Sequence, residues 1–437
     1  MSAIGIVLAF FIALFVLMSL GIPVAYAFLI VNAVAMWLLV GFDGGMSTLV
    51  SASYESVASF SLAPIPLFIF MGEVLSRSGC VTMSFDAIGK MLGRMPGRLS
   101  VLSILAGTVF AATSGSTVAN ASMLGSMLLP DMRRRGYAKS MIIGPILGAG
   151  SLAMIIPPSG VAVLLGGIAQ ISVADLLIGG IVPGICMAAG FLLYIMIRCA
   201  LNPALAPIDE GSAEPFGERL KSLVVHVLPL ALLVFAVLGA ILFGIATPTE
   251  SAALGVLAAF IVAAAYRRLS FRVVVDSVVE TVQISAAILL IVALATGFAQ
   301  ALSLSGASRA VVTMVQSLDL TASQAVLIML AIVLVLGAFL ELVAVMLICM
   351  PLFMPVVMAH QIDPVWFGLM VLICLDVGQL TPPFGMLLFV MKSVVPKEVK
   401  MSDIILASQP FVAIELLIVV LLFLFPQFGL YLPGVGD

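Results

Sequence analysis

The sequence predicts an all-α polytopic membrane protein built as an inverted structural repeat with two re-entrant helical hairpins. Three observations carry this. The 437 residues are 63% hydrophobic and 9% charged, with mean hydropathy +1.32, whereas soluble domains carry about 25% charged residues. Helix breakers recur at one offset of 225 residues: Pro23 with Pro248, Gly72 with Gly297, Pro130 with Pro355, Pro157 and Pro158 with Pro382 and Pro383, and Gly160 with Gly385. Two long apolar stretches, 99–130 and 322–358, do not fit a single crossing.

With 23 Pro and 38 Gly, single matches mean little. A constant offset that also pairs PPSG (157–160) with PPFG (382–385) is another matter. Duplication with breakers at matching depths is the pattern of secondary transporters, whose sites form where paired helices are interrupted.

A bilayer core of about 30 Å needs about 20 apolar residues per helix. That test marks crossings near 3–20, 24–41, 62–79, 140–169, 175–198, 223–244, 249–266, 281–302, 365–391 and 406–430, ten in all. The opening run MSAIGIVLAFF has no basic region before it and reads as a retained helix instead of a signal peptide. The stretch 99–130 would run roughly 48 Å as one helix at about 1.5 Å per residue, yet its centre, ATSGSTVANAS (112–122), is small and polar. It reads as two half-helices meeting at a polar tip.

Charge supports that reading. Arg77, Lys90, Arg94 and Arg98 precede the stretch, and Arg133, Arg134, Arg135 and Lys139 follow it, so both ends belong on the cytoplasmic side. The segment must enter and return, and its non-helical tip is tolerable only inside protein or beside water. Carried along the chain, this topology puts 17 of the 18 Lys and Arg at the cytoplasmic face, Arg309 being the exception. Both termini then lie on the outer face. Five crossings separate Pro23 from Pro248, so the second repeat is inverted and the hairpin at 322–358 enters from outside.

Two opposed tips and two broken helices bring free carbonyls and half-helix ends together, and such ends bind ions. Backbone carbonyls with hydroxyl and amide oxygens suit a hard cation. One candidate cation site comprises Ser114, Gly115, Ser116 and Asn120 near Pro157 and Ser159. The repeat supplies the other: Gly337, Ala338 and Glu341 near Gly378, Thr381 and Pro382. SGST alone fits a small-residue helix contact equally well; the Pro-Pro break and the duplicate favour a site. An anionic substrate is expected between the tips, against Ser116, Thr117, Ser159, Thr381, Pro383 and Asp376. No inward Lys or Arg pairs with it, which is a physical reason to expect cation coupling, sodium or proton.

Glu73, Glu341, Asp376 and Glu415 lie inside spans, where a bare carboxylate costs several kcal/mol. Glu341 and Asp376 fit either functional use or a carboxylate bonded to backbone at a helix break. Glu73 and Glu415 read as structural or interfacial, and Trp37 and Trp366 as interface anchors. The five cysteines lack metal or disulfide spacing. Neither His has a partner at ligand spacing, so no metal other than the coupling ion is expected. HExxH, GxSxG and P-loop patterns are missing, which argues against an enzyme. A net charge of -3 gives no reason to expect nucleic acid. A channel is disfavoured because the paired sites are closed hairpins instead of one pore-lining ring.

At TSGSTVANASMLGSMLLPDMRRRGY (113–137), IIPPSG (155–160), GIATPTESAALGV (244–256) and LTPPFG (380–385), the chain resembles the large membrane subunit of tripartite ATP-independent periplasmic (TRAP) transporters, the DctM-like family, essentially end to end. The resemblance implies an ion-transporter-superfamily fold and a sodium-coupled importer of an organic acid in the bacterial inner membrane, moving by an elevator motion. It also implies a separate small membrane subunit (DctQ-like), a periplasmic substrate-binding protein (DctP-like), a lipid environment and no cofactor beyond Na+. The scaffold would comprise 1–98 and 201–308, and the moving part 99–200 and 309–437. A stand-alone cation-coupled transporter of organic anions is the alternative. In the pattern associated with the second break an Asn often stands four residues before Gly-x-x-Thr-Pro-Pro; here that residue is Cys374, and Asp376 is the side chain placed to compensate in part.

Overall fold

A computed structural model describes residues 3–207 and 214–435. The chain termini, on which the expected outer-face placement depends, lie partly outside the described residues. The first half contains α1 (Ala3–Ser19), α2 (Val24–Val40), α3 (Phe42–Val57), α4 (Pro64–Arg77), α5 (Cys80–Met91), α6 (Arg98–Ser114), α7 (Thr117–Arg134), α8 (Lys139–Ile155), α9 (Gly160–Ala169), α10 (Val173–Gly179) and α11 (Ile181–Leu201). The second contains α12 (Phe216–His226), α13 (Leu228–Leu242), α14 (Pro248–Ala265), α15 (Phe271–Leu304), α16 (Ala307–Ser317), α17 (Ala322–Gly337), α18 (Leu342–Ala359), α19 (Pro364–Gln379), α20 (Met386–Val394), α21 (Met401–Leu424) and α22 (Gln427–Leu430). No strand occurs among the described residues.

The offset of 225 holds in three dimensions. It maps α7 onto α18 end for end, α6 onto α17, α8 onto α19, α9 onto α20 and α5 onto α16. In one region it maps two helices onto one: α3 and α4 correspond to the single 34-residue α15. The sequence contains the reason, since Pro64 and Pro66 at the start of α4 have Leu289 and Ile291 as their counterparts. Proline starts a helix readily and interrupts one it lies within.

The two re-entrant hairpins form where predicted, α6–α7 turning at Gly115 and Ser116, and α17–α18 turning over 338–341. The ten expected crossings are only partly matched. Among the described residues, six helices can span a membrane by length and apolar content, or up to eight if two bent pairs each count as one span. One bent pair is α8–α9, at 43° across PPS, as expected; the other is α4–α5, at 64°. The spans expected at 24–41 and 365–391 form as shorter apolar helices, the second interrupted after Gln379. Helices α3, α5 and α16 lie outside the expected spans, and α12 overlaps only the start of the one expected at 223–244. In α3 only Gly45, Leu49 and Ala52 are buried, a narrow seam laid on α2 and α15.

The helices sort by packing into two groups. In one, α8 contacts α6, α7, α11 and α21, while α19 contacts α17, α18 and α21, and α8 meets α19 between them. Each half-helix after a break crosses to the other repeat, α9 against α18 and α20 against α7. In the other group α2, α3, α4, α13, α14 and α15 pack together and meet the first through α4 against α6 and α9, through α13 against α6 and α10, and through α15 against α18. Their outer faces are apolar, with Leu254, Leu257 and Ile261 exposed along α14 and Leu232 and Phe235 along α13, as helices facing lipid require. Cross-element ion pairs join Arg77 to Glu280 at 3.1 Å, Lys90 to Glu214 at 2.8 Å and Lys139 to Asp403 at 2.7 Å. Each pair joins segments that the charge pattern assigns to one side. Trp366 differs from a simple interface anchor: its indole N–H donates to the Leu422 carbonyl at 2.6 Å, and its ring stacks on Phe423.

Candidate functional site

At the first tip, α6 ends on Gly115, whose φ of 58° closes the helix in the left-handed region. Ser116 then caps α7, its Oγ accepting from the Ala119 N–H at 3.3 Å. The broken helix is built the same way: after a cis Pro157–Pro158 bond, Ser159 caps α9 by accepting from Ala162 N–H at 3.3 Å, and donates to the Met154 carbonyl at 2.7 Å. A Cβ on Gly115 would stand 3.2 Å from both the Pro158 carbonyl and the Gly160 nitrogen. Tip and break are therefore in backbone contact. Asn120, fully buried, donates to the Gly107 carbonyl at 3.1 Å and the Ala149 carbonyl at 2.6 Å, tying α7 to α6 and α8. Its Oδ1 has no donor.

At the second tip Glu341 takes the position of Ser116. Its carboxylate caps α18, accepting from Val343 N–H at 3.1 Å and Ala344 N–H at 3.3 Å. Gly337 packs on Gly378 so closely that a Cβ on Gly378 would lie 2.8 Å from the Gly337 backbone. The Ala338 carbonyl accepts from Phe384 N–H at 2.9 Å, and Thr381 Oγ1 donates to the Val377 carbonyl at 2.6 Å. Here too tip and break meet, around a cis Pro382–Pro383 bond.

The breaks differ in exposure. Pro157, Pro158 and Ser159 are buried, whereas Pro382, Pro383 and Phe384 are exposed. A cavity of ≈ 310 Å³ joins the first tip (Ser114, Ser116, Thr117), the first break (Pro158, Gly160) and the second tip (Glu341). Its opposite wall is α4, with Gly72, Glu73 and Ser76, and α15, with Ile284 and Ile288. Gln379 also borders it. The residues expected at a common site divide between the cavity and its surroundings. Ser116, Thr117 and Glu341 share the cavity, while Thr381, Pro382, Pro383 and Asp376 are not among its lining residues. The Pro-Pro sequence is symmetric, but solvent access depends on the helices that cover each break.

The remaining acidic residues resolve by contact. Glu73 pairs with Arg77 at 2.7 Å, a structural use on the cavity's edge. Glu415 is neither interfacial nor paired: it lies fully buried on α21, as Asp376 lies buried on α19. Nothing in the local sequence distinguishes Gln379 as cavity-lining; its position in the last turn of α19, beside the break, was the available signal.

A helical membrane fold with paired hairpins, paired breaks and a cavity between the tips and a second helix group defines a secondary-transporter permease. The chain belongs to the family "Tripartite ATP-independent periplasmic transporter, DctM component", which matches residues 11–428. It is 30% identical over 384 residues to the C4-dicarboxylate TRAP transporter large permease protein DctM of Pseudomonas aeruginosa, covering 87% of this chain and 88% of that one. It is 28% identical over 422 residues to the ectoine TRAP transporter large permease protein TeaC of Halomonas elongata, covering 96% and 97%. Among solved structures, the Alcanivorax borkumensis YdaH transporter superposes with a TM-score of 0.62 over 89% of this chain and 90% of that chain at 17% identity, a likeness of fold.

Proposed function

We propose that this chain is the large membrane subunit of a sodium-coupled importer of an organic acid in the bacterial inner membrane, served by a periplasmic binding protein and a small membrane subunit. The observation that carries the reading is the cavity shared by Ser116, Thr117 and Glu341 and closed by α4 and α15. On one side it offers the N-terminal end of α7 with two hydroxyls, a seat for a carboxylate. On the other the N–H groups of Val343 and Ala344 are already taken by Glu341. The lining contains Glu73 and Glu341 and no Lys, Arg or His. An anion entering this wall therefore needs cations beside it. Asn120, with an amide oxygen lacking a donor, and the carbonyls at the end of α6 are oxygen ligands of the kind a hard cation takes. The ion belongs to the cargo.

The proposed movement is of the elevator type, and the contact pattern supports it. Helices α4 and α15 meet the hairpin group through few elements, and Gly72 brings α4 against the first tip: a Cβ there would lie 2.5 Å from the Thr113 carbonyl. Glu73 and Ser76 border the cavity near Arg77, at the end the charge pattern assigns to the cytoplasm. The arrangement fits an inward-facing state. The family's relatives act on different substrates by name, so the particular acid is a matter for the binding protein.

Proteoliposomes containing this chain and its small subunit test the reading. Uptake should require both the binding protein and an inward sodium gradient. Uptake of free substrate by the chain alone would support the stand-alone alternative instead.

A further inference from the structure

Away from the cavity wall, the hairpin group buries two carboxyl groups side by side. Asp376 on α19 is 1% exposed and Glu415 on α21 is 0% exposed. None of their four oxygens has a hydrogen-bond donor. The Ser151 hydroxyl on α8 lies beside both carboxyls, although it donates to the Gly148 carbonyl at 2.9 Å. Ser151 and Asp376 are repeat counterparts, and they meet where α8 packs on α19.

No base answers these charges. Helices α9 and α17 hold no titratable side chain; α18 brings Cys349 and α10 brings Asp175. Lys139 on α8 is roughly 18 Å along the helix from Ser151 at about 1.5 Å per residue and is paired with Asp403. On α20, Lys392 donates to the carbonyls of Lys397 and Val399. On α11, which also carries Cys186, Tyr194 and Cys199, Arg198 lies in the last turn. None of these bases acts on Asp376 or Glu415.

A second observation points to a ligand. Gln379 is 2% exposed, and neither its amide oxygen nor its nitrogen has a partner. It lies three residues after Asp376, on the same face of α19, and it borders the cavity. A polar line thus runs from the cavity through Gln379 to Asp376, Ser151 and Glu415. Two unpaired carboxylates in a low-dielectric interior cost several kcal/mol each, and like charges make the pair worse. A proton held on one carboxyl leaves a single negative charge, which a second proton or one monovalent cation neutralises. Calcium takes six to eight oxygens and magnesium keeps several waters; this dry cluster of two carboxyls, one hydroxyl and one amide suits a smaller demand.

We propose that Asp376 and Glu415, with Ser151 and Gln379, form a monovalent-cation site in the hairpin group, separate from the hairpin tips and reached from the cavity. Its occupant is a proton or a sodium ion, which share this chemistry. The inference goes beyond the tip reading and is tested by ion binding alone, so failure of either leaves the other standing.

The test uses the purified full chain in lipid. Equilibrium binding of radioactive sodium is compared among the parent, Asp376→Asn, Glu415→Gln and the tip variant Glu341→Gln, with infrared spectra of the carboxyl stretch on the same samples. Sodium occupancy is expected from fewer ions bound per chain in Asp376→Asn and Glu415→Gln beyond any tip effect. Proton occupancy is expected from a protonated-carboxyl band in the parent that Asp376→Asn or Glu415→Gln removes. Unchanged sodium binding together with an unchanged band overturns the proposal, as does a response to magnesium or calcium alone. If the carboxyl variants fail to fold, Ser151→Ala retains both acids and should weaken the cation's hold 10–100-fold, the effect typical of losing a supporting ligand. No change in that variant also counts against the site.

Discussion

Ser116 and Glu341 stand at matching places in the two repeats and perform the same backbone task, capping α7 and α18. One adds a neutral hydroxyl to the cavity and the other a carboxylate. Removing that charge separates the roles. Glu341→Gln keeps a capping oxygen and should fold, while the sodium concentration for half-maximal uptake rises about tenfold or more, the typical range for a lost cation ligand. Uptake measured against sodium with unchanged half-saturation would exclude Glu341 as a ligand. Asn120 makes a second case. Asn120→Ala removes two buried bonds to the Gly107 and Ala149 carbonyls, each worth about 0.6 kcal/mol on average in membranes, so the thermal midpoint should fall along with sodium-dependent uptake. Sequence reasoning placed Asn120 at the site because amide oxygens suit cations. It could not reveal that the amide nitrogen would be used to fasten α7, leaving only the oxygen free.

Among the helices, the duplicated breakers made the hairpins and the Pro-Pro interruptions readable, because backbone consequences of Pro and Gly are local. The close approach of α17 to α19 is the same kind of feature: Gly378→Val places a side chain where a Cβ already lies 2.8 Å from the Gly337 backbone. Overpacking of this sort typically costs about 1–3 kcal/mol, and a lower thermal midpoint in detergent should report it. Where the repeats diverge, proline again decides. Leu289→Pro restores in α15 the residue that begins α4 in the first repeat, and it should break the 34-residue helix at a cost of about 3 kcal/mol. Wild-type thermal stability in that variant would show that α15 is continuous for some other reason. The amphipathic and connecting helices α3, α5, α12 and α16 escaped a test tuned to about 20 apolar residues, since short or half-polar helices acquire their stability from neighbours.

At the level of the whole molecule, the two helix groups meet through α4, α13 and α15, and Gly72 packs closely enough on the first tip that a Cβ there would lie 2.5 Å from the Thr113 carbonyl. If the hairpin group slides past α4 and α15, Gly72→Val should abolish transport, and because the added side chain presses on the Thr113 carbonyl beside Ser114 it should weaken sodium binding as well. Retained uptake in that variant would argue against movement along this contact.

The sequence by itself determined the membrane class, the inverted duplication, both hairpins, both broken helices and the family, because composition, charge sidedness and helix breakers act locally and survive without knowledge of neighbours. Only the tertiary structure decided that the first break is buried and the second exposed, that Thr381 and Asp376 stand outside the cavity lining while Gln379 joins it, and that Asp376 meets Glu415 and Ser151. Those outcomes depend on which helices cover which faces. Burial and pairing are properties of contacts between segments far apart in the chain, and a repeat with identical breaks can present them to quite different surroundings.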